Sequence, residues 1–312
     1  MKTEKNKAFT LVELLVVLAI VAMLIGLLMP ALGQVRKYAG TVKQKAQIGS
    51  IEIALSLYKN DFGQYPRSHG YDTFKNDTDP NFYDYIYCGA QTLAEAMVGY
   101  DLLGVHSDTV FNANGRDISN AANSLLYPVP SATEPNSLNL GKRKGPYLDR
   151  TNIGVFTPRN VFDRDTTSDN VWPDKYMICD TFTAVNRKIG SKYCKIGTPI
   201  LYFRADTSAE NTQLIPSATM GGRVKNIYNY YDNHNFLSLG RITDGKPHNL
   251  ITAANDGSKF FSFITDSMIW NSTSPPLKRP VKPDSFILIS AGPDGIYGTK
   301  DDICNFDPNS IQ

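Results

Sequence analysis

Three aspartates near the C-terminus have the residue type and spacing of ligands for a hard cation. Asp294, Asp301 and Asp302 lie in the run Ser290–Ile303, which follows an apolar segment and contains several glycines. Calcium binds about 6–8 oxygen atoms from carboxylates, carbonyls and water, and glycines let a loop close tightly around it. We therefore expect a structural Ca²⁺ site at these aspartates; the alternative is an ordinary turn with solvated acids.

One carboxylate lies inside a long apolar segment near the N-terminus. Residues Phe9–Met29 are apolar except for Thr10 and Glu13. A carboxylate in hydrocarbon costs about 2.5–3.5 kcal/mol on insertion scales unless it finds a partner. We therefore predict a function for Glu13, which lies in the first turn of a helix, where the helix dipole favours negative charge.

The cysteines can form disulfides outside the cytoplasm. The chain has four cysteines and no CxxC pair, which argues against a zinc ribbon or a thioredoxin-like site. Several connectivities are open. Cys179 and Cys194 flank a basic, turn-like segment and are the preferred pair.

Motifs of known enzymes are missing from the sequence. HExxH, GxSxG, the P-loop and GxGxxG do not occur, and the four histidines form no close metal pair. We therefore expect a structural protein and not an enzyme. The net charge of +2 gives no broad attraction to nucleic acid, so no nucleic-acid partner is expected.

The segment Phe9–Met29 is long enough to cross a membrane. Its 21 residues span roughly 30 Å as a helix, the thickness of a bilayer's hydrocarbon core. Lysines in the polar residues 1–8 predict a cytoplasmic N-terminus and a chain that lies outside after about residue 30. A secretory signal cleaved near Ala31–Gly33 and a plain anchor are simpler alternatives, but neither explains Glu13.

A helix is predicted to continue beyond the membrane. Pro30 follows the apolar run and predicts a kink or a local unwinding. Further along, a 3-4-3-4 spacing predicts one apolar stripe that packs on the chain's own globular domain. The whole helix is expected to run from Phe9 to about Asn60. Gly63 is the expected C-terminal cap. The stripe comprises Ile48, Ile51, Leu55, Tyr58 and Phe62. The residues mostly off it are Arg36, Lys37, Lys43, Gln44, Lys45 and Glu52.

The rest of the chain has an α+β pattern. A short helix is predicted at Thr92–Leu103, followed by strands separated by Gly, Asn, Asp and Pro. The predicted strands are Tyr176–Val185, Pro199–Arg204, Leu250–Ala253, Phe260–Ile264 and Phe286–Ser290. Residues 104–175 are polar and rich in turns, which predicts an insertion displayed at the surface.

Three segments carry a resemblance to one family. K-A-F-T-L-V-E-L-L-V-V-L, at Lys7–Leu18, resembles the class III signal of type IV pilins and type II secretion pseudopilins. Y-K-N-D-F-G-Q-Y-P, at Tyr58–Pro66, resembles the end of the long helix in major pseudopilins. G-P-D-G with the following G-T-K-D-D-I resembles their C-terminal calcium loop. The resemblance covers the first sixty-odd residues and the last twenty or so, and it implies a pilin-like fold, with the long helix packed on an antiparallel sheet.

The resemblance also implies roles for particular residues. A prepilin peptidase would cut between Ala8 and Phe9 and methylate the new amine of Phe9, although the family usually has Gly before the cut. Glu13 would be the assembly glutamate, paired with the Phe9 ammonium of its own or a neighbouring subunit. In the acidic loop, Asp294 and Asp302 would be the surest ligands. Lys300 stands where the family often has an acid, and Asp301 is its expected substitute.

These expectations define an organisation and a set of partners. Residues 1–8 are a cytoplasmic leader, 9–29 a transmembrane helix and 30–63 its amphipathic continuation. Residues 64–312 form a periplasmic domain that includes the insertion 104–175 and the acidic loop 290–303. The expected partners are the prepilin peptidase, other copies of the chain and minor pseudopilins, an inner-membrane secretion or pilus assembly platform, and membrane lipid.

The favoured function is that of a structural subunit of a type II secretion pseudopilus. One alternative is a type IV pilin, major or minor, for adhesion, motility or DNA uptake. Another is a periplasmic binding module or enzyme that merely uses the membrane anchor.

Overall fold

The chain forms two compact units, Met1–Val42 and Lys43–Gln312. The structure is a computed structural model. It describes residues 10–69, 87–112, 115–117, 125–128, 139–209, 226–272, 274 and 277–308. The first unit contains the start of one long helix, and the second contains the end of that helix and all the strands among the described residues.

The described residues form an α+β fold of the predicted class. The helices are α1 (Leu11–Phe62), α2 (Gly89–Val98), α3 (Pro158–Phe162), α4 (His234–Ser238), α5 (Ser258–Phe263) and α6 (Ser267–Ser272). The strands are β1 (Val105–His106), β2 (Arg143–Lys144), β3 (Gly154–Phe156), β4 (Met177–Cys179), β5 (Val185–Ile189), β6 (Lys192–Ile196), β7 (Leu201–Arg204), β8 (Phe286–Ser290) and β9 (Ile303–Cys304). Single 3₁₀ turns lie at Leu140–Lys142, Thr167–Asp169 and Tyr230–Asp232.

The predicted stripe of α1 is the face that packs in the second unit. Ile48, Ile51, Leu55 and Tyr58 are buried in one apolar cluster, and Phe62 packs against it with its ring stacked on Tyr58 at 4.3 Å. The helix ends as predicted: Gly63 has a φ of +76°, and its N–H donates to the carbonyl of Lys59 at 2.8 Å.

The antiparallel sheet β7–β8–β9 divides the hydrophobic core of the second unit. Leu201 of β7 pairs with Ile289 of β8, and Ile289 in turn pairs with Cys304 of β9. Alternate side chains of a strand point to opposite faces. Ile287 and Ile289 lie in one core cluster, whereas Phe286 and Leu288 lie in the other, with α1. Strand β8 is therefore buried on both faces, which explains its unbroken apolar sequence.

The remaining strands form two-stranded antiparallel sheets. They are β1–β2, β3–β4 and β5–β6.

Several described residues between 104 and 175 contribute to the core, because the side chains of Val105, Val161 and Val171 are fully buried. The expected surface display of this stretch is therefore wrong for these residues, and its status as an insertion stays a prediction.

Two predicted strands are not strands. Residues Leu250–Ala253 lie in turns and irregular chain, and Leu250 is apolar because it is buried in the core. Phe260–Ile264 lies in and after helix α5, whose first N–H groups include that of Ser258, a donor to Asp256 Oδ1 at 3.0 Å. Short apolar runs do not distinguish a strand from a buried helix by periodicity alone, and here the Asp-Gly turn selected the helix.

Two other elements are shorter than predicted. Helix α2 ends at Val98, before the predicted Leu103, since Gly99 has a φ of +91° and a Cβ there would lie 2.2 Å from the carbonyl oxygen of Gly104. Strand β4 ends at Cys179 because the side chain of Asp180 accepts a bond from the N–H of Phe182 and so turns the chain out of the ladder.

Two isoleucines of α1 allow a matched test of this packing. Ile51 is 0% exposed and Ile53 is 67% exposed. We expect Ile51→Ala to lower the free energy of unfolding of the full chain in mild detergent by about 2–4 kcal/mol, because it leaves a cavity between helix and sheet. Ile53→Ala is the control and is expected to change it by less than about 0.5 kcal/mol. Equal losses in urea unfolding would contradict the observed orientation of the helix.

Candidate functional site

The first unit consists of an apolar helical segment exposed along its length. Large apolar side chains from Leu11 to Met29 are 44–78% exposed. Among the described residues, α1 is the helix long and apolar enough to cross a membrane, judged by length and composition. An apolar surface of this extent requires a partner such as lipid or other helices.

Glu13 and Thr10 form a capping box at the start of α1. The N–H and the hydroxyl of Thr10 both donate to Glu13 Oε2, at 2.9 and 2.8 Å. The N–H of Glu13 donates in return to Thr10 Oγ1 at 3.2 Å. These bonds satisfy N–H groups that the first turn of a helix leaves without an intrahelical acceptor. Glu13 thus has a local role in the uncut chain, which the sequence analysis missed although T-x-x-E is a recognisable capping pattern.

The other N-terminal predictions concern Ala8, Phe9 and Pro30, and the structure describes the helix only at the last of these. Ala8 and Phe9 lie outside the described residues, so cleavage and N-methylation stay predictions. Helix α1 runs through Pro30 without a break in its helical assignment. The single chain is therefore helical at Pro30, and a kink or local unwinding at Pro30 in an assembled filament stays a prediction.

The acidic loop connects β8 to β9 and is tightly folded. Gly292, Gly295 and Gly298 all have positive φ, between +64° and +88°. A Cβ on Gly292 would lie 2.0 Å from the carbonyl oxygen of Asp301, so the two arms of the loop touch through their backbones. The glycines close the loop in the way the sequence predicted.

Of the three predicted calcium ligands, Asp302 is half-buried and is affected by the charge of Asp294. Asp302 accepts bonds from the N–H of Gly298 at 2.7 Å and from Thr299 Oγ1 at 3.3 Å. Burial raises the pKa of Asp302 to about 7 despite these bonds, and the nearby charge of Asp294 adds to the rise. Asp301 is exposed and is not brought into this pair.

This arrangement fits calcium only in part. Across the described ranges, no group of three or more His, Cys, Asp or Glu side chains is placed to hold a metal ion. A divalent cation would nevertheless offset the unfavourable burial of Asp302 and its repulsion from Asp294. Backbone carbonyls or water would have to supply most of the ligands.

A buried aspartate, missed in the sequence, supports the start of the acidic loop. Asp180 Oδ1 accepts from the N–H groups of Phe182 and Thr198, at 3.2 and 3.1 Å. Its Oδ2 accepts from the hydroxyl of Ser290, the last residue of β8, at 3.1 Å. Burial raises the pKa of Asp180 to about 7, although these three donors act in the opposite direction.

Two glutamines and one glutamate attach α1 to the sheets. The N–H of Thr181 donates to Gln44 Oε1 at 2.8 Å, and Gln47 Nε2 donates to the carbonyl of Cys179 at 3.0 Å. Both glutamines are buried, which corrects the assignment of Gln44 to the face off the stripe. Extending the apolar periodicity back from Ile51 by i−4 and i−7 would have found them.

Glu52 makes the corresponding contact toward the C-terminus. Its Oε1 accepts from Lys282 Nζ and from Asn305 Nδ2, both at 3.0 Å. Asn305 also accepts from the N–H of Leu288 at 2.9 Å, so this one side chain links α1 with both ends of the acidic-loop region.

The preferred cysteine pair is not bonded in the structure. Cys179 and Cys194 are free thiols in different two-stranded sheets, as β4 pairs with β3 and β6 with β5. Burial raises the pKa of the Cys179 thiol, which makes it a weak nucleophile. The structure therefore gives no support for this disulfide.

Comparison with known proteins identifies the N-terminal segment. A family model described as the prokaryotic N-terminal methylation motif matches residues 4–29. The type II secretion system core protein G of Escherichia coli (strain K12) is 36% identical over 67 residues, which is 22% of this chain and 46% of that protein. The chain thus spans about half the length of the curated relative it matches. No solved structure matches the chain.

The raised pKa of Asp180 predicts a pH dependence of stability. In the unfolded chain an aspartate loses its proton near pH 4, whereas the folded chain holds it up to about pH 7. The unfolded state therefore binds fewer protons between these values, so the free energy of unfolding falls as pH rises through them and is constant above. Asp180→Asn, which cannot ionise, is expected to remove that fall, roughly 4 kcal/mol for a pKa raised from about 4 to about 7, in urea unfolding of the full chain.

The control is Asp284, an exposed aspartate, in contrast to the buried Asp180. Asp284→Asn is expected to follow the wild-type pH profile. If Asp180→Asn followed it as well, the carboxyl of Asp180 would not be held protonated by burial.

Proposed function

We propose that this chain, a member of the type IV pilin and pseudopilin family by its N-terminal motif, is a structural subunit of a cell-envelope filament. The observation that carries the proposal is the match of residues 4–29 to the N-terminal methylation motif, with Glu13 inside the apolar segment. The family is structural, and its members act by anchoring in a membrane and assembling with copies of themselves.

Proteolytic processing would change the chemistry at Glu13. Hydrolysis of the Ala8–Phe9 peptide bond by a prepilin peptidase releases the polar leader and leaves an ammonium group on Phe9. Glu13 lies four residues further along, one helical turn away. An ion pair between this ammonium and the Glu13 carboxylate, within one subunit or between neighbours, would lower the cost of both charges in an apolar environment.

A second, exposed apolar face of α1 supports assembly. Ile53 is 67% and Leu57 48% exposed, although both are large aliphatic side chains on the helix that carries the buried stripe. They are spaced i, i+4 and therefore share one face. Ile51 and Leu55, which are fully buried, occupy the opposite side of the helix. We propose that the Ile53–Leu57 face packs against another subunit, since an isolated monomer gains nothing from exposing it.

Among such filaments, the type II secretion pseudopilus is favoured. The relative with 36% identity over 67 residues is named as the core protein G of that system. The acidic loop between β8 and β9 supports the same choice through its resemblance to the loop of major pseudopilins. The subunit would then be anchored in the inner membrane with its globular unit in the periplasm, and would assemble with minor pseudopilins on a membrane platform.

We also propose that the acidic loop binds calcium. Asp294 and Asp302 would hold the ion together with backbone carbonyls and water. The ion would place a positive charge next to the half-buried carboxylate of Asp302. Its role would be to stabilise the loop and not to act in chemistry.

Glu13 substitutions separate the assembly role from helix capping. In the native membrane, Glu13→Gln keeps an oxygen that accepts from Thr10 but has no charge, whereas Glu13→Ala loses both. We expect peptide mass spectrometry to find a methylated Phe9 at the N-terminus in both variants, and filament recovery to fall at least about tenfold in both, as expected for the loss of a partly buried ion pair.

The control for the helix is Lys45→Ala, an exposed charge of α1, which is expected to assemble normally. Ile53→Lys is expected to be processed and folded but to assemble poorly. A chain that keeps Met1, or filament recovery at the wild-type level in both Glu13 variants, would favour a simple membrane anchor. Loss of assembly in Glu13→Ala alone would assign Glu13 to capping.

Calcium removal is expected to lower the melting temperature of the full chain. An ion that binds only the folded state stabilises it by mass action, so EGTA should lower the melting temperature by roughly 5 °C and added Ca²⁺ should restore it. Asp302→Asn should abolish the response, while Asp163→Asn should keep it. A melting curve unchanged by EGTA, or a response retained in Asp302→Asn, would remove the calcium proposal and leave the filament proposal intact.

A further inference from the structure

The hairpin formed by β5 and β6 concentrates positive charge. Residues 183–198 contain four basic residues and no acidic residue, in a chain whose net charge is +2. The rest of the chain therefore has a net charge of −2, the difference between +2 and +4. The two strands are joined by the two-residue turn Gly190-Ser191, with Gly190 at a φ of +60°.

One face of this hairpin is fixed to the core, which holds the other face in place. Val185, Ile189 and Cys194 pack against the apolar cluster, and Ile196 is fully buried. Arg187 lies on the same inward side, opposite Cys194, and forms an ion pair with Asp163 at 3.5 Å.

The outward face combines ammonium groups with an aromatic ring. Asn186, Lys188, Tyr193 and Lys195 are all exposed, as alternation along the two strands requires. In the ladder, Lys188 is directly opposite Tyr193, and Asn186 is opposite Lys195. Lys192, at the turn, is exposed as well. Such directly opposite pairs are about 5 Å apart at Cβ, so the ring and the ammonium groups form one surface.

These cations are available to a partner. Within the part of the chain that the structure describes, Lys188, Lys192 and Lys195 take part in no ion pair, whereas Arg187 on the inward face does. Tyr193 is 80% exposed. An exposed tyrosine between unpaired lysines has no evident role in the stability of the hairpin, because its ring contacts neither core cluster.

We propose that the outward face of the β5–β6 hairpin binds single-stranded nucleic acid. Each nucleotide presents a flat base that can stack on Tyr193 and a phosphate that lysines can neutralise. The amide of Asn186 can in addition donate to and accept from base edges. A duplex hides the faces of its bases, and anionic lipid offers phosphate without a ring, so neither matches both halves of this surface.

The proposal goes beyond the filament function and concerns a different part of the chain. It differs from the expectation, drawn from the net charge, that no nucleic acid would be a partner. A net charge of +2 is a sum over the whole sequence and does not reveal an all-basic hairpin.

Fluorescence anisotropy of labelled oligo-dT with the full-length, unassembled chain in neutral detergent tests the proposal. We expect saturable binding at low ionic strength. Tyr193→Ala should weaken it about tenfold through the loss of stacking, and Tyr193→Phe should restore it to within about twofold. Lys188→Ala and Lys195→Ala should each reduce the slope of log affinity against log salt by about 0.7.

Lys259→Ala, an exposed lysine of α5, is the matched control and should leave affinity and slope unchanged. Absence of saturable binding, or equal affinity of Tyr193→Ala and wild type, would overturn the proposal. Heparin or anionic vesicles that bind as tightly as oligo-dT, and independently of Tyr193, would identify a general polyanion surface instead and overturn it as well. Since the assay uses unassembled chain, its failure is independent of any failure to form filaments.

Discussion

The burial of strand β8 on both of its faces is the constraint on which the rest of the globular unit depends. Its side chains alternate between two apolar clusters, with Leu288 in the cluster of α1 and Ile289 in the cluster of α4 and α5. A strand with no solvent face must be covered by elements from distant parts of the chain. The end of α1 covers one face, and β8 in turn fixes Ser290, where the acidic loop begins.

Buried and half-buried carboxylates mark the places where apolar packing alone does not explain the structure. Asp180 is held by three donors, and Asp302 by Gly298 and Thr299 of its own loop, yet burial raises the pKa of each to about 7. Glu13, in contrast, is exposed in the uncut chain and serves the start of α1 through Thr10. A carboxylate that is retained in such surroundings needs donors, a cation or an ammonium group, and the proposed roles of these residues follow from that need.

Some errors of sequence interpretation have a common cause in contacts between distant residues. Gln44 is polar and was placed off the apolar stripe, but it is buried because the N–H of Thr181 needs an acceptor. Leu250 is apolar because its side chain is buried in the core, although its backbone belongs to no strand. Residue type reports burial and hydrogen-bonding demand only on average, so a polar side chain that serves a buried backbone group is misassigned.

The sequence by itself determined the long helix and its end at Gly63, the buried stripe from Ile48 to Tyr58, the strand Phe286–Ser290, and the N-terminal motif around Glu13. These features are local, since periodicity, capping and apolar length act over a few turns or strands. Only the tertiary structure decided that Asp302 is half-buried while Asp301 stays in solvent, that Asp180 supports the loop, and that Lys188, Tyr193 and Lys195 share one exposed face. Loop closure and strand register bring together residues far apart in the chain, and no local pattern encodes those distances.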